Sequence, residues 1–217
     1  MKVNPFSDTL DFLIGNTNDH IGSGVRWLLV LLFWALFLAG LWIARSCWKA
    51  DPNQRTREHL ATWFMRMMIG CMWFQGSLWK LPLPVSGGFK YWTEQLGEHA
   101  AFDVHKWVVK HVFLPNLWLV NPLVYLTELS LAVAFILGLF VRPMAALGIL
   151  FTVQLWFGLY RHPGEWPWQY VFLMFTQGFF LLHAAGQSLG LDGWIKRAPF
   201  GPFKGDGFIA RLYRRFA

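Results

Sequence analysis

Five long apolar runs limit what this chain can fold into more than any other feature of its sequence. Each is close to the roughly 20 residues that an α-helix needs to cross the hydrocarbon core of a bilayer. Lipid offers no hydrogen-bond partners to an open backbone, so such runs predict an all-α integral membrane protein. The predicted spans are Val25–Cys47, Leu60–Lys80, Leu117–Phe140, Pro143–Tyr160 and Trp168–Gly186.

The composition agrees with a membrane protein. Hydrophobic residues make up 55% of the chain and charged residues only 14%, whereas ordinary soluble domains have about 25% charged residues. The 14 tryptophans are typical of a protein anchored at two membrane interfaces. The net charge of +7 does not indicate a nucleic-acid partner, because much of it flanks the apolar runs or lies in the C-terminal tail. We therefore expect contacts with membrane lipids and none with nucleic acid.

The apolar runs divide the chain into three parts. Residues 1–59 contain an extra N-terminal transmembrane helix and a polar linker, residues 60–195 form a four-helix membrane domain, and residues 196–217 form a basic aromatic tail. Within the second part, the linker 81–116 is predicted to form one or two short helices on the membrane surface. About two dozen residues precede the first full-length span, so we expect no cleaved signal peptide.

The distribution of Lys and Arg predicts the orientation. Eleven of these residues fall on the side of the first linker and the tail, against seven on the opposite side. The positive-inside rule then places the C-terminus in the cytoplasm and the N-terminus outside. We expect a multi-pass protein of a bacterial or archaeal cytoplasmic (inner) membrane.

Charged residues inside the apolar runs are the strongest indication of a functional site. Glu128 lies near the middle of the third span. An ionised carboxylate alone in hydrocarbon is costly, so Glu128 must be protonated or paired, and either Arg66 or Lys80 can reach it. Both of these belong to a set of residues whose spacing puts them on one face of the second span. That set is Arg66, Gly70, Trp73, Ser77 and Lys80.

Two interpretations of this polar set stay open. Interhelical polar contacts often only hold helices together, and each stabilises by about 1 kcal/mol. Three ionisable groups in one small bundle instead suit a head group with two carbonyls, such as a quinone. Lys80 or Arg66 would donate a hydrogen bond to a carbonyl, and Glu128 would pass a proton. The predicted catalytic residues are thus Glu128, Lys80 and Arg66, and the predicted cofactor-binding residues are Trp73, Gln75, Gln154 and Gln177.

Several other cofactors are not expected. A bis-histidine haem needs two histidines at matching depth, and His183 alone lies within a span. The chain has no Gly-rich phosphate loop and no Cys-x-x-Cys motif, so neither a nucleotide nor an iron–sulfur cluster is expected. Cys47 and Cys71 are interpreted as small apolar residues, and no metal site is predicted. If the protein transfers electrons, its redox groups would come from a lipid quinone or a partner subunit.

Four groups of motifs follow one another along residues 60–195. They are Arg66-x-x-x-Gly70 with Gly76-x-x-x-Lys80, Glu128-Leu129 with Gly138-Leu139-x-x-Arg142, Glu165-Trp166, and Gly186-x-Ser188-Leu189-x-Leu191-Asp192. No single motif is specific, but their order and spacing together resemble the pattern of the DoxX/DoxD-like family of membrane proteins. The chain departs from the pattern in its extra first span, its long outer linker and its basic tail.

The resemblance implies a four-helix bundle similar to the small membrane subunit of thiosulfate:quinone oxidoreductase. One hypothesis is therefore a subunit of a quinone-linked electron-transfer system. The alternative is a non-catalytic structural or assembly subunit of a larger respiratory or photosynthetic complex, with the tail docked on a partner or on anionic lipid. Whether the chain is itself catalytic, and what the electron donor is, stay open at this stage.

Overall fold

The computed structural model describes residues 4–13 and 23–216. Helices account for 82% of the structure, and the described residues contain no strand, which confirms the predicted all-α class. By length and composition, three stretches are long and apolar enough to cross a membrane, namely Val25–Ala50, Asp103–Leu137 and Val141–Gly158. The structure thus indicates a membrane protein. The predicted outer position of the N-terminus counted Lys2, which lies outside the described residues.

Each predicted span corresponds to one long helix, and shorter helices join them. The α-helices are α1 (Pro5–Leu13), α2 (Ser23–Ala50), α3 (Arg57–Ser77), α4 (Gly87–His99), α5 (Asp103–Val108), α6 (Leu117–Leu137), α7 (Val141–Gly158), α8 (Pro167–Leu182), α9 (Leu191–Arg197) and α10 (Phe208–Phe216). A 3-10 turn, Leu78–Lys80, extends α3.

Two of the five predicted spans are less apolar or shorter than a membrane-crossing helix requires. Helix α3 includes polar and charged residues, and α8 has only 16 residues. In the structure α3 packs along α6, and α8 packs along α7. Both therefore lie against one of the three strongly apolar helices, which shields part of their polar surface.

The linker between the second and third spans differs in part from the prediction. Helix α4 is a separate short helix as expected, but α5 runs on through a π turn, Val109–Phe113, and a 3-10 turn, Leu114–Asn116, into α6. Backbone hydrogen bonds tie this region to the end of α7, from Ala101 N to Phe157 O at 2.8 Å and from Arg161 N to His99 O at 3.0 Å. Helices α4 and α5 therefore cover one end of the bundle, which we call the Lys80 end.

The larger of two apolar clusters among the described residues joins the long helices. Side chains that are fully buried come from α2, α3, α6 and α8, namely Phe33, Phe74, Phe135 and Phe180. Gly70 lets α3 approach α6 closely, since a Cβ at this position would lie 2.8 Å from the Ile136 side chain. The close contact of α3 and α6 fixes the depth at which their polar residues face each other.

The opposite end of the bundle is organised around Asp192, and we call it the Asp192 end. The turn from α6 to α7 contains Gly138 at φ 70° and Phe140 at φ 52°. The Asp192 carboxylate accepts hydrogen bonds from the backbone N–H of Phe140 at 2.8 Å and of Val141 at 3.1 Å. A carboxylate at this position caps the first turn of α7, where the helix dipole favours negative charge.

The C-terminal tail folds back onto the Asp192 end. The Tyr213 hydroxyl donates to Asp192 Oδ1 at 2.8 Å, and the Tyr213 ring packs on Phe140 and Phe203. Burial, and the Asp192 carboxylate next to it, raise the pKa of the Tyr213 hydroxyl, which keeps it a donor. Burial also raises the pKa of Asp192, while the Val141 N–H and the Tyr213 hydroxyl act in the opposite direction. Phe200, Phe203 and Tyr213 of the tail therefore have intramolecular ring contacts.

We expect Tyr213→Phe to loosen α10. The change removes a buried hydrogen bond to a carboxylate, a contact that contributes about 1.5–3 kcal/mol. Trypsin cleavage after the arginines of α10 should become about tenfold faster or more, because cleavage requires local opening. Time-resolved proteolysis in detergent measures this rate. Tyr160→Phe is the matched control, since Tyr160 is 51% exposed, and an equal effect of both changes would contradict the proposed contact.

Gly138→Ala should destabilise the whole bundle. Gly138 has a left-handed backbone conformation, and an added Cβ would lie 2.7 Å from Arg66 Nη1 and 2.7 Å from Gly190 Cα. Strain and overlap together predict a loss of at least about 2 kcal/mol in the free energy of unfolding. Thermal unfolding in detergent measures the change. Gly178→Ala, at a helical position with nothing within 4 Å, should leave stability unchanged or raise it.

Candidate functional site

A cavity of about 640 Å³ opens at the Lys80 end between α3, α4, α6, α7 and α8. This volume falls within the range of small-molecule sites, which are mostly apolar with a few convergent polar groups. The walls of the cavity are largely apolar, and seven of the lining residues are aromatic: Trp73, Trp79, Phe89, Trp92, Phe113, Phe151 and Tyr170. Flat aromatic walls suit a planar ligand.

A buried ion pair forms one polar part of the cavity lining. Lys80 Nζ lies 2.5 Å from Glu128 Oε2, and the two residues are only 2% and 4% exposed. The ammonium group of Lys80 also donates to Gly76 O at 2.9 Å and lies 3.8 Å from the centroid of the Trp79 ring. Both members of the pair line the cavity. A ligand in the cavity would therefore meet a compensated pair and not an isolated charge.

The side chain of Asn121 helps to position the ion pair. The Asn121 side-chain amide on α6 donates to Lys80 O at 3.1 Å and to Pro84 O at 3.1 Å, which fixes the end of α3 against α6. Asn121 and Glu128 are seven residues apart, and this spacing puts them on the same face of α6. Sequence reasoning did not identify Asn121, although an asparagine at this spacing from Glu128 was a usable signal.

Arg66 lies far from this ion pair. It precedes Lys80 by 14 residues on the same helical stretch, a separation of roughly 21 Å at the rise of an α-helix. Its guanidinium donates to the carbonyls of Phe135 and Ile136 at the end of α6, and to Ser188 O at 3.3 Å.

Arg66 is also fully buried. It is therefore a cation at the negative end of the α6 dipole. Of the two partners that the sequence left open for Glu128, the structure has Lys80, and the prediction that Arg66 belongs to the same site is wrong.

The four predicted cofactor-binding residues divide into two groups. Trp73 and Gln154 line the cavity. Gln75 lies on another side of α3, in a small crevice against α2. Gln177 is buried between α7 and α8, where its amide donates to Thr152 Oγ1 at 3.2 Å. Neither Gln75 nor Gln177 lines the cavity, so the structure does not support the cofactor-binding role predicted for them. Gln177 instead joins α8 to α7, which is the structural interpretation of such polar residues.

A second polar group of the cavity was not predicted as a site. Glu165 precedes α8, and its Oε2 accepts a hydrogen bond from the Tyr170 hydroxyl at 2.7 Å and another from the Gln169 amide. All three residues line the cavity. The sequence contained a weak signal, since the Glu165-Trp166 motif is part of the family resemblance. The described residues contain no group of three His, Cys, Asp or Glu side chains that could hold a metal.

Comparison with known proteins returns no matching family model, no similar curated protein and no similar solved structure. The DoxX-like assignment thus stays a prediction from the residues. The site defines a class of protein in physical terms: a helical membrane protein with a ligand-sized aromatic cavity that contains a buried ion pair.

The Lys80–Glu128 pair should behave as a unit in stability measurements. Lys80→Met or Glu128→Leu alone leaves one buried charge unpaired and should lower the free energy of unfolding by about 3 kcal/mol or more. The double variant should return to within about 1 kcal/mol of the wild type, because apolar residues replace the pair. Unfolding by denaturing detergent in mixed micelles measures the free energy of unfolding of the wild type, the two single variants and the double variant.

A second Lys–Glu pair provides the control for this cycle. Lys90 and Glu94 lie 4.0 Å apart on α4, with side chains 60% and 44% exposed. The corresponding substitutions there should each change stability by less than about 1 kcal/mol. If the losses in the free energy of unfolding from the Lys80 and Glu128 substitutions simply added in the double variant, the prediction that the two residues form an ion pair would be wrong.

Proposed function

We propose that this chain is an integral membrane subunit that binds a quinone in the cavity at the Lys80 end. The observation that carries the proposal is the cavity itself, which combines about 640 Å³ of space, aromatic walls and the Lys80–Glu128 pair in one lining. A quinone head group is planar, uncharged and apolar apart from two carbonyl acceptors. It therefore matches a site with flat walls, no uncompensated charge on the pair, and a buried ammonium donor.

The two members of the ion pair have distinct roles in this proposal. The Lys80 ammonium group has three N–H donors. One is directed to Gly76 O and another to Glu128, so the third would be available for a quinone carbonyl. Glu128 lies within hydrogen-bonding distance of Lys80. Its carboxyl group would exchange a proton with the quinone when the oxidation state of the quinone changes. Trp73 and Gln154 would contact the ring from α3 and α7.

The proposal also places the chain in the membrane. Helices α3, α6, α7 and α8 form the DoxX-like bundle, and α2 is the extra N-terminal span. The C-terminus lies in the cytoplasm, so the Asp192 end faces the cytoplasm and the cavity lies near the outer face of the membrane. A role like that of the small membrane subunit of thiosulfate:quinone oxidoreductase would add an external electron donor and partner subunits.

Quinone binding can be tested directly on the purified protein. We expect solvent extracts of the protein in mild detergent to contain quinone when examined by mass spectrometry. Because Trp73, Trp79 and Trp92 line the cavity, titration with a short-chain quinone should quench tryptophan fluorescence in a saturable way. The Lys80→Met/Glu128→Leu double variant should bind at least about tenfold more weakly, which is the loss of about one charge-assisted hydrogen bond.

Filling the cavity provides a test that leaves the ion pair intact. Val124 lines the cavity, whereas its neighbour Leu123 is 54% exposed. Val124→Trp should abolish saturable quenching, and Leu123→Trp should preserve it. Wild-type protein without extractable quinone and without saturable quenching would overturn the proposal. If that protein also migrated in a stable complex with other subunits, the structural alternative would replace it.

A further inference from the structure

Helix α10 presents three distinct faces to its surroundings. One face is buried against the bundle, where Ala210 is 0% and Tyr213 is 3% exposed. A second face is apolar and open, with Phe208 71%, Ile209 50% and Leu212 43% exposed. At about 100° per residue these three lie within an arc of about 100° next to the buried face. The exposed Arg211 and Arg214 occupy the remaining side.

The attachment of α10 places it at the depth of the helix ends. Tyr213 contacts the ring of Phe140, which lies in the turn between α6 and α7, and the carboxylate of Asp192, which caps the first turn of α7. These two helices lie in stretches that are apolar and long enough to cross a membrane. Their ends define the boundary between hydrocarbon and head groups, so α10 lies at that boundary. The open apolar face then meets lipid, and the basic face meets head groups and water.

The charge of this region indicates which class of lipid head group α10 would bind. Lys204, Arg211 and Arg214 are all exposed near one another in sequence, and Asp206 offsets only part of their charge by pairing with Arg214 at 2.9 Å. Basic residues on an interfacial amphipathic helix are attracted to anionic head groups. We propose that α10 is an interfacial helix that binds anionic phospholipid head groups through Arg211 and Arg214, while Phe208, Ile209 and Leu212 insert between acyl chains.

The geometry favours lipid over a protein partner for this surface. The open apolar face is narrow and directly adjoins the face that packs on the bundle, as expected for a helix that lies flat beside its own transmembrane domain. The basic residues lie on the side away from that apolar arc. This arrangement complements a planar anionic surface, and it does not depend on quinone binding at the other end of the molecule.

A site-specific probe tests the position of α10 in the full chain. The native Cys47 and Cys71 are buried, and alanine replaces both so that one fluorophore can be attached at Ile209→Cys or, as the matched control, at Arg211→Cys. The protein is reconstituted in phosphatidylcholine vesicles with brominated acyl chains. We expect the brominated lipid to quench the label at position 209 roughly twofold more strongly than the label at position 211, because only the former faces acyl chains.

Lipid charge is tested with the same label. Adding phosphatidylglycerol should strengthen quenching at position 209, and added salt should reverse that increase because it screens the head groups. Arg211→Gln/Arg214→Gln should remove the phosphatidylglycerol effect. Lys90→Gln/Lys106→Gln, with the same loss of charge at the Lys80 end, should preserve it.

Three results would overturn the proposal. The first is equal quenching at positions 209 and 211. The second is no response to phosphatidylglycerol in the wild-type background. The third is protection of position 209 from both brominated lipid and aqueous iodide, which would show that a protein partner or a second copy of the chain covers the helix.

Discussion

Compensation of buried charge is the constraint on which the rest of this structure depends. An ionised group inside an apolar bundle is tolerated only when an opposite charge or a helix end meets it. Lys80 and Glu128 meet each other between α3 and α6. Arg66 meets the carbonyl end of α6, and Asp192 meets the amide end of α7. Because each contact needs two helices at one depth, together they fix the register of the bundle.

The two ends of the bundle use this compensation differently. At the Asp192 end the partners are mostly backbone groups of the α6–α7 turn, and tight glycine positions leave little free space around them. This end is a structural joint to which the tail is attached. At the Lys80 end the partners are two side chains, and the space beside them is a cavity. In the part of the chain that the structure describes, the Lys80 end is where a buried charged pair adjoins room for a ligand, which is why the proposed function is assigned to that end.

The sequence located the charges correctly but could not assign all their partners. Arg66 and Lys80 share a helical face, so helical periodicity alone does not distinguish them as partners of Glu128. The structure distinguishes them by depth, since α3 is long enough to separate them by roughly 21 Å. Gln177 and Gln75 failed as cavity residues for a related reason. The side of a helix that faces the cavity depends on how α3 and α8 are rotated against their neighbours.

By itself, the sequence determined the helical class, the positions of the long helices and the need for buried charges to be compensated, because these follow from local periodicity and the cost of exposing polar groups to lipid. Only the tertiary structure decided that Lys80 is the partner of Glu128, that Glu165 and Tyr170 join the same cavity, and that Tyr213 binds Asp192. Those contacts join residues far apart in the chain. Their geometry depends on the mutual rotation and depth of packed helices, which no local pattern records.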